Sequence, residues 1–379
     1  MRKFVYGILL LLVAGCKEKF DLPTDSPETG YLVIEGFISP GPQTTKLELS
    51  RTNKTNAATK RTEQGALVQV EGDDNTVQLL PETFAGVYTT VLDINNNKQY
   101  RLRIKTTDGK EYLSDYVGAK VTPPIDSISW VRSAEGVRLQ FNTHDPQNDT
   151  RYYLWDYHET WEFHSAFKSF LRYTPGQNAI EYKDPIRGLP DSSILICWRS
   201  SISTSIILGS SAKLSSDVIS RQPFLLIPAR DRKLSELYSI YVRQYGLTKE
   251  AYEFLEKMRK NTEGTGSIFD PQPSQLIGNI HNVSNPEEVV IGFISICTVE
   301  DKRLFIDNSE VPQWNYRSDC MEARVLNTPD SIDVAQGSGL VPTDVLETFG
   351  TAIIYFGVSS SDCVDCTRTG TNIKPSFWP

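Results

Sequence analysis

From Tyr31 onward, apolar and polar residues alternate with a period of two. Leu32, Ile34 and Ile38 interleave with Val33, Glu35 and Phe37, and Leu47 and Leu49 with Lys46, Glu48 and Ser50. Val68 and Val70 interleave with Gln69 and Glu71, and Tyr100, Leu102 and Ile104 with Arg101, Arg103 and Lys105. Successive side chains of a strand point to opposite faces, so this period marks strands with one buried face. Turn residues separate the runs at Gly41-Pro42, 72–75, 95–97 and Asp108-Gly109. Short strands at near-regular spacing predict an immunoglobulin-like or transthyretin-like β-sandwich over residues 31–122.

The run Val121-Thr122-Pro123-Pro124 marks a joint. Its prolines cannot donate to a sheet ladder and bias the preceding residues toward extended backbone, which makes the connector stiff and the angle between the units defined. Beyond it, residues 125–379 read as a larger β-rich domain, so the fold class is mainly β. Its longest strand signal places Tyr153, Trp155, Tyr157, Trp161 and Phe163 on odd positions and Asp156, His158, Thr160, Glu162 and His164 on even ones. The aromatic row reads as core, with stacking on a sugar ring as the alternative. Further strands are expected at 194–198, 224–227, 238–245, 289–297, 304–306 and 352–358.

One amphipathic helix is predicted over residues 248–260. Thr248 can cap the first amides, Leu247 and Tyr252 can form a hydrophobic staple, and Ala251, Phe254, Leu255 and Met258 recur at helical spacing. Glu250 and Glu253 come early and Lys257, Arg259 and Lys260 late, the order the helix dipole favours. It ends before Gly264-Thr265-Gly266, which lacks the third glycine and the strand of a nucleotide-binding turn.

The first 16 residues carry a different pattern. Arg2 and Lys3 precede an apolar run, and Val13-Ala14-Gly15 brings small residues up to Cys16. This is a secretory signal over residues 1–15; its apolar stretch is well short of the roughly 20 residues a spanning helix needs. The Val-Ala-Gly-Cys run resembles a bacterial lipobox, which implies acylation of Cys16. Several acyl chains hold a protein on a membrane where a single chain is marginal. Residues 16–30, polar and containing Pro23 and Pro27, read as a lipidated tether. Lys17-Glu18-Lys19 loosely resembles the lysine-plus-acid signals of surface-displayed Bacteroidota lipoproteins.

Losing residues 1–15 removes the charges of Arg2 and Lys3, so the formal net charge goes from −8 to −10, with no basic block. Nucleic acid, which requires a clustered Lys/Arg footprint, is not an expected partner. Five cysteines remain after Cys16: Cys197, Cys297, Cys320, Cys363 and Cys366. Five is odd, so at least one is unpaired within the chain. A zinc site would need four ligands, and the Cys363/Cys366 pair has no second close pair to match it. A redox pair would open a helix beside a βαβ unit. A structural staple joining Cys320 to Cys363 or Cys366 is the expectation, with Cys297 a free buried thiol.

Catalytic and metal motifs fail on inspection. His158-Glu159 is followed by Glu162 where a zinc-protease helix needs its second histidine, and His158 and His164 on one strand face lie about 20 Å apart. No Gly-x-Ser-x-Gly occurs, and the Ser165/Lys168 and Ser210/Lys213 spacings lack companion motifs. Asp93, Asn95 and Asn97 imitate a calcium loop, but Lys98 stands where glycine and Ile104 where a bidentate glutamate is required; a hairpin turn is expected. No catalytic residue, metal or cofactor is expected.

Residues 247–254, 266–274 and 278–280, with Cys363-Val364-Asp365-Cys366 and 374–378, resemble the Bacteroidota lipoprotein family catalogued as domain of unknown function 4249 (DUF4249). Residues 33–38, 49–52 and 86–88 fit the same family. The resemblance implies an outer-membrane lipoprotein, many such members being linked to TonB-dependent transporters, and it supplies no catalytic residue to carry over. The expectation is a non-enzymatic binding or accessory subunit, lipid-anchored in the outer membrane and displayed at the surface, working with a TonB-dependent transporter in nutrient capture. The alternatives are an accessory subunit of an outer-membrane biogenesis or secretion machine, and a surface hydrolase using carboxylates of the second domain.

Overall fold

The computed structural model describes residues 30–53, 60–186, 188–263, 276–311, 314–316 and 318–379. The chain is mainly β, and its first unit is a sandwich of two sheets. Strands Leu32–Phe37, Thr44–Arg51 and Val87–Val91 form the centre of one sheet; Leu67–Gly72, Gln99–Lys105 and Glu111–Ser114 that of the other. Leu32, Ile34, Leu47, Leu49 and Tyr88 meet Val68, Val70, Leu102, Ile104 and Tyr112 in a single core. The period-two residues therefore face inward as predicted. The segment after Asp93 is a hairpin turn, with Lys98 N donating to Asn95 O at 3.0 Å.

The boundaries 31–122 and 125–379 need a correction. Three short strands from the second half return to complete the first sandwich. Ile280–Asn282 pairs with Glu111–Ser114, Val290–Ile291 runs parallel to Leu32–Phe37, and Ile296–Cys297 runs parallel to Val117–Lys120. The cause is apolar: Ile280, Val290, Ile294 and Ile296 are buried in the first core. Asn279 closes the segment on itself, its side chain accepting from Ile294 N at 2.8 Å and donating to Ile294 O at 2.9 Å. Half-buried Glu288 joins it to the sandwich, accepting from Lys110 at 3.0 Å, Tyr112 at 2.8 Å and Asn282 at 2.8 Å. The strand expected over 289–297 is thereby broken at Gly292, whose φ of +150° carries the chain past Ile34.

The second unit packs two sheets face to face. Strands Ile125–Arg132, Gly136–Asp145 and Asp217–Pro228 form one; Ile196–Ile202, Tyr152–His164, Leu237–Gly246 and Val299–Asp307 form the other, with Ile207–Ser210 beside the start of Tyr152–His164. Tyr153 and Trp155 are fully buried between them with Phe141, Leu139, Ile240 and Val242, so the aromatic row is core at that end. Glu159 shares the aromatic face and is also buried. Lys233 Nζ at 2.8 Å and the Tyr238 hydroxyl at 2.9 Å satisfy its carboxylate, as a buried charge requires.

The helix covers Lys249–Glu263, starting one residue and ending three residues later than predicted, with Ala251 N donating to Thr248 Oγ1 at 3.2 Å. It packs Ala251 and Phe254 against both units, Phe254 lying 5.6 Å from Phe293 and Tyr252 5.1 Å from Tyr152, ring centre to ring centre. The expectation of one helix also needs correcting: Pro329–Gly337 and the single turn Ser361–Val364 are helical. Only Ile332 and Ala335 are buried on Pro329–Gly337, too short a stripe to give a period. That helix packs on a third sheet of strands Ala323–Leu326, Ala352–Ser360 and Leu340–Phe349, with Phe356 and Val358 in its core.

Gly278 passes directly against the main chain of Gly292 where the returning segment closes, leaving no room for a Cβ. Gly278→Ala is expected to destabilise the protein by about 1–3 kcal/mol, the usual cost of overpacking, measured as a lowered urea midpoint with an unchanged slope.

Candidate binding cleft

The two units meet at a double joint. Thr122 N donates to Thr298 Oγ1 at 2.8 Å, Gly246 N to Thr122 Oγ1 at 2.9 Å, and Gln244 Nε2 to Pro123 O at 2.7 Å. The Gln244 amide oxygen accepts in turn from Trp155 Nε1 at 2.7 Å, so the joint is tied into the second core. Gln43 of the sandwich locks onto the main chain of Val299, accepting from its N at 2.9 Å and donating to its O. Phe37 stacks on Tyr245 with centroids 4.8 Å apart. The angle between the units is set by these contacts.

Between Phe37 and Gln43 on one side and the outer face of the central sheet on the other lies a cleft of about 680 Å³. Sheet register builds its floor: Asp156 lies beside Arg243 and Arg243 beside Asp301, with Tyr241 in the next row; His158 and Arg303, which flank Tyr241 across the sheet, lie beyond the cleft lining. Alternate residues Trp155, Ile240 and Val242 fill the core, so these rows face outward. Arg243 forks onto Asp156, Nε to Oδ1 at 2.8 Å and Nη2 to Oδ2 at 2.7 Å, and the Tyr245 hydroxyl donates to Oδ2 at 2.9 Å. Arg303 donates to Ser239 Oγ at 2.9 Å and lies 4.8 Å from the Tyr241 ring and 3.6 Å from that of Phe377.

Burial opposes the charge on Arg243, but Asp156 holds its pKa above the ordinary value. Burial and the adjacent Asp156 push the Tyr245 hydroxyl well up. Burial and the nearby Arg243 lower the pKa of His158. The cleft therefore offers the aromatic faces of Phe37, Tyr241 and Tyr245 and a preformed ion pair, a set suited to recognition.

Sequence reasoning missed this site. The one signal was Phe37, an aromatic at a strand position that alternation assigns to solvent. Gln43, Asp156 and Arg243 lie too far apart in sequence for any pattern to join them.

The cysteines are placed plainly. Cys320 is bonded to Cys363, and Cys366 to Cys197, a residue that received no partner from the sequence; both Cα pairs are 5.7 Å apart. Cys297 is free and buried, and burial pushes its thiol up to about 12. His158 meets Tyr241 edge-on, whereas His164 contacts Glu162 at 3.2 Å and Glu236 at 3.5 Å, so the two histidines serve different neighbourhoods. Among the described residues, no three His, Cys, Asp or Glu side chains are grouped to hold a metal, and no helix is long and apolar enough to cross a membrane. Cys16, the signal 1–15, nearly all of the tether and residues 266–274 lie outside the described residues.

The family model described as "Domain of unknown function (DUF4249)" matches residues 17–303. No curated protein matches the sequence. A solved structure, "Putative membrane anchored protein from Corynebacterium diphtheriae", is similar over 70% of this chain at 14% identity and a TM-score of 0.15. The match spans 61% of that protein's length, and so low a score carries no argument.

Asp156→Ala strands Arg243 and Tyr245. The expected loss is about 1–2 kcal/mol, between the costs of breaking a buried and an exposed pair, since the Asp156 and Arg243 side chains keep partial solvent contact; urea unfolding reads it. Replacing Cys197 and Cys366 together by Ala should cost about 2–5 kcal/mol, seen as a lower melting temperature that reducing agent no longer shifts as far.

Proposed function

Since the chain belongs to the DUF4249 family, we propose that it is a lipid-anchored binding and accessory protein of a bacterial outer membrane, working beside a TonB-dependent transporter in nutrient capture. The observation that carries this reading is the cleft at the joint of the two units, where paired charges and aromatic rings are held in fixed register by Gln43, Thr122 and Phe37. A rigid, solvent-open recess of this size suits a small polar ligand or a partner's loop. Two disulfides fit an oxidising compartment beyond the inner membrane, and the Val13-Ala14-Gly15-Cys16 run supplies the anchor.

The expected outcome of Cys16→Ser is loss of acylation and release of the protein from the membrane fraction; a variant that still fractionates with the outer membrane refutes the anchor. From detergent-solubilised membranes the wild-type protein should co-purify with a TonB-dependent barrel. Recovery with assembly factors instead, or alone with a glycan- or peptide-hydrolysing activity, refutes the transport role.

A further inference from the structure

Toward the other end of strand Tyr152–His164, on its aromatic face, a second recess of about 270 Å³ lies among Trp161, Phe163, Arg199, Asp231, Arg232, Lys233 and Thr369. Three parts of the chain converge there. Arg199 lies directly across the sheet from Trp161, and Cys197 across from Phe163. Arg232 and Lys233 come from a single helical turn, Arg232–Leu234, capped by Asp231, whose carboxylate accepts from Lys233 N at 3.0 Å. Thr369 comes from the C-terminal segment that the Cys197–Cys366 bond pins against the sheet. Gly370 seals that wall: a Cβ there would stand 2.7 Å from both the Phe163 ring and Trp198 O.

The charges are unevenly committed. Lys233 is bound to buried Glu159 and lies 5.0 Å from the Trp161 ring centre. Arg199 and Arg232 have no ion-pair partner among the described residues: Arg232 spends one donor on His164 O at 3.1 Å, and the Arg199 guanidinium carbon lies 6.0 Å from the Trp161 ring. On a chain of net charge −8, two guanidinium groups without an ion-pair partner beside one recess, whose single lining carboxylate, Asp231, is engaged by Lys233 N, are a local exception. Unsatisfied guanidinium forks match carboxylates. The volume, just below the usual range of about 300–1,000 Å³ for ligand pockets, admits about one ring.

We propose that this recess binds a single-ring carboxylate, its ring against Trp161 and Phe163 and its carboxylate on Arg199 and Arg232. A uronic acid and an aromatic acid share this chemistry. The site stands apart from the junction cleft and does not depend on the membrane reading.

The test titrates the oxidised, full-length mature protein with glucuronate and with benzoate, and with their neutral counterparts glucose and benzamide, followed by calorimetry and indole fluorescence. At least one acid is expected to bind saturably, with its neutral counterpart about tenfold or more weaker, the worth of a charge-assisted contact. Glucuronate alone binding identifies a sugar acid, benzoate alone an aromatic one. Arg199→Gln and Arg232→Gln should each weaken binding by a similar factor without changing the melting temperature, and Trp161→Phe should abolish the fluorescence response. Absence of saturable binding by either acid, equal binding of acid and neutral counterpart, or unchanged affinity in folded Arg199→Gln and Arg232→Gln overturns the proposal.

Discussion

The placement of two residues, Ile296 and Cys297, holds the molecule together. Cys297 N donates to Ile38 O at 3.1 Å, Ser295 O accepts from Ile38 N at 3.0 Å, and Thr298 N donates to Lys120 O at 3.0 Å. One short stretch thus bridges the two sheets of the first unit, and the next residues enter the central sheet of the second. Because Val299 follows at once, the main chain that Gln43 grips is in register with the floor carrying Tyr241 and Arg243. The cleft inherits its shape from that continuity. An interface made only of side chains would leave the units freer to move.

Much of this fold is legible in the sequence where a physical signal repeats. Leu32 through Ile104 alternate over enough residues to declare strands, and Thr248 with Leu247 and Tyr252 announces a helix start. Signals shorter than a period carry no such information. The pairs Val290–Ile291 and Ile296–Cys297 are two residues each, and nothing local reveals that they run parallel to strands more than 170 residues earlier. Helix Pro329–Gly337 hides for the same reason.

The candidate sites were less legible than the fold because they are made by juxtaposition. Trp161 and Phe163 continue a row whose other members, Tyr153 and Trp155, are core, and sequence gives no hint that the row changes role along one strand. What changes is the covering layer: Phe141 and Leu139 lie over the first half, and a pinned turn with basic residues stands beside the second. Glu159, a carboxylate in that row, is tolerated because Lys233 and Tyr238 reach it from the neighbouring turn and strand. A single pattern of alternation thus serves a core, a buried ion pair and a recess.

The returning segment also has a consequence for the order in which the molecule is made. Synthesis proceeds from the N-terminus, and in most proteins the first domain can fold while the next is still emerging. Here the first sandwich lacks three of its strands until residue 297 is available, so Leu32, Ile34 and Tyr112 stay incompletely covered through more than 170 further residues of growth. Such long-range closure is slow. The unit nearest the N-terminus is therefore the first to appear and one of the last to be finished, and the chain needs protection from aggregation for that whole interval.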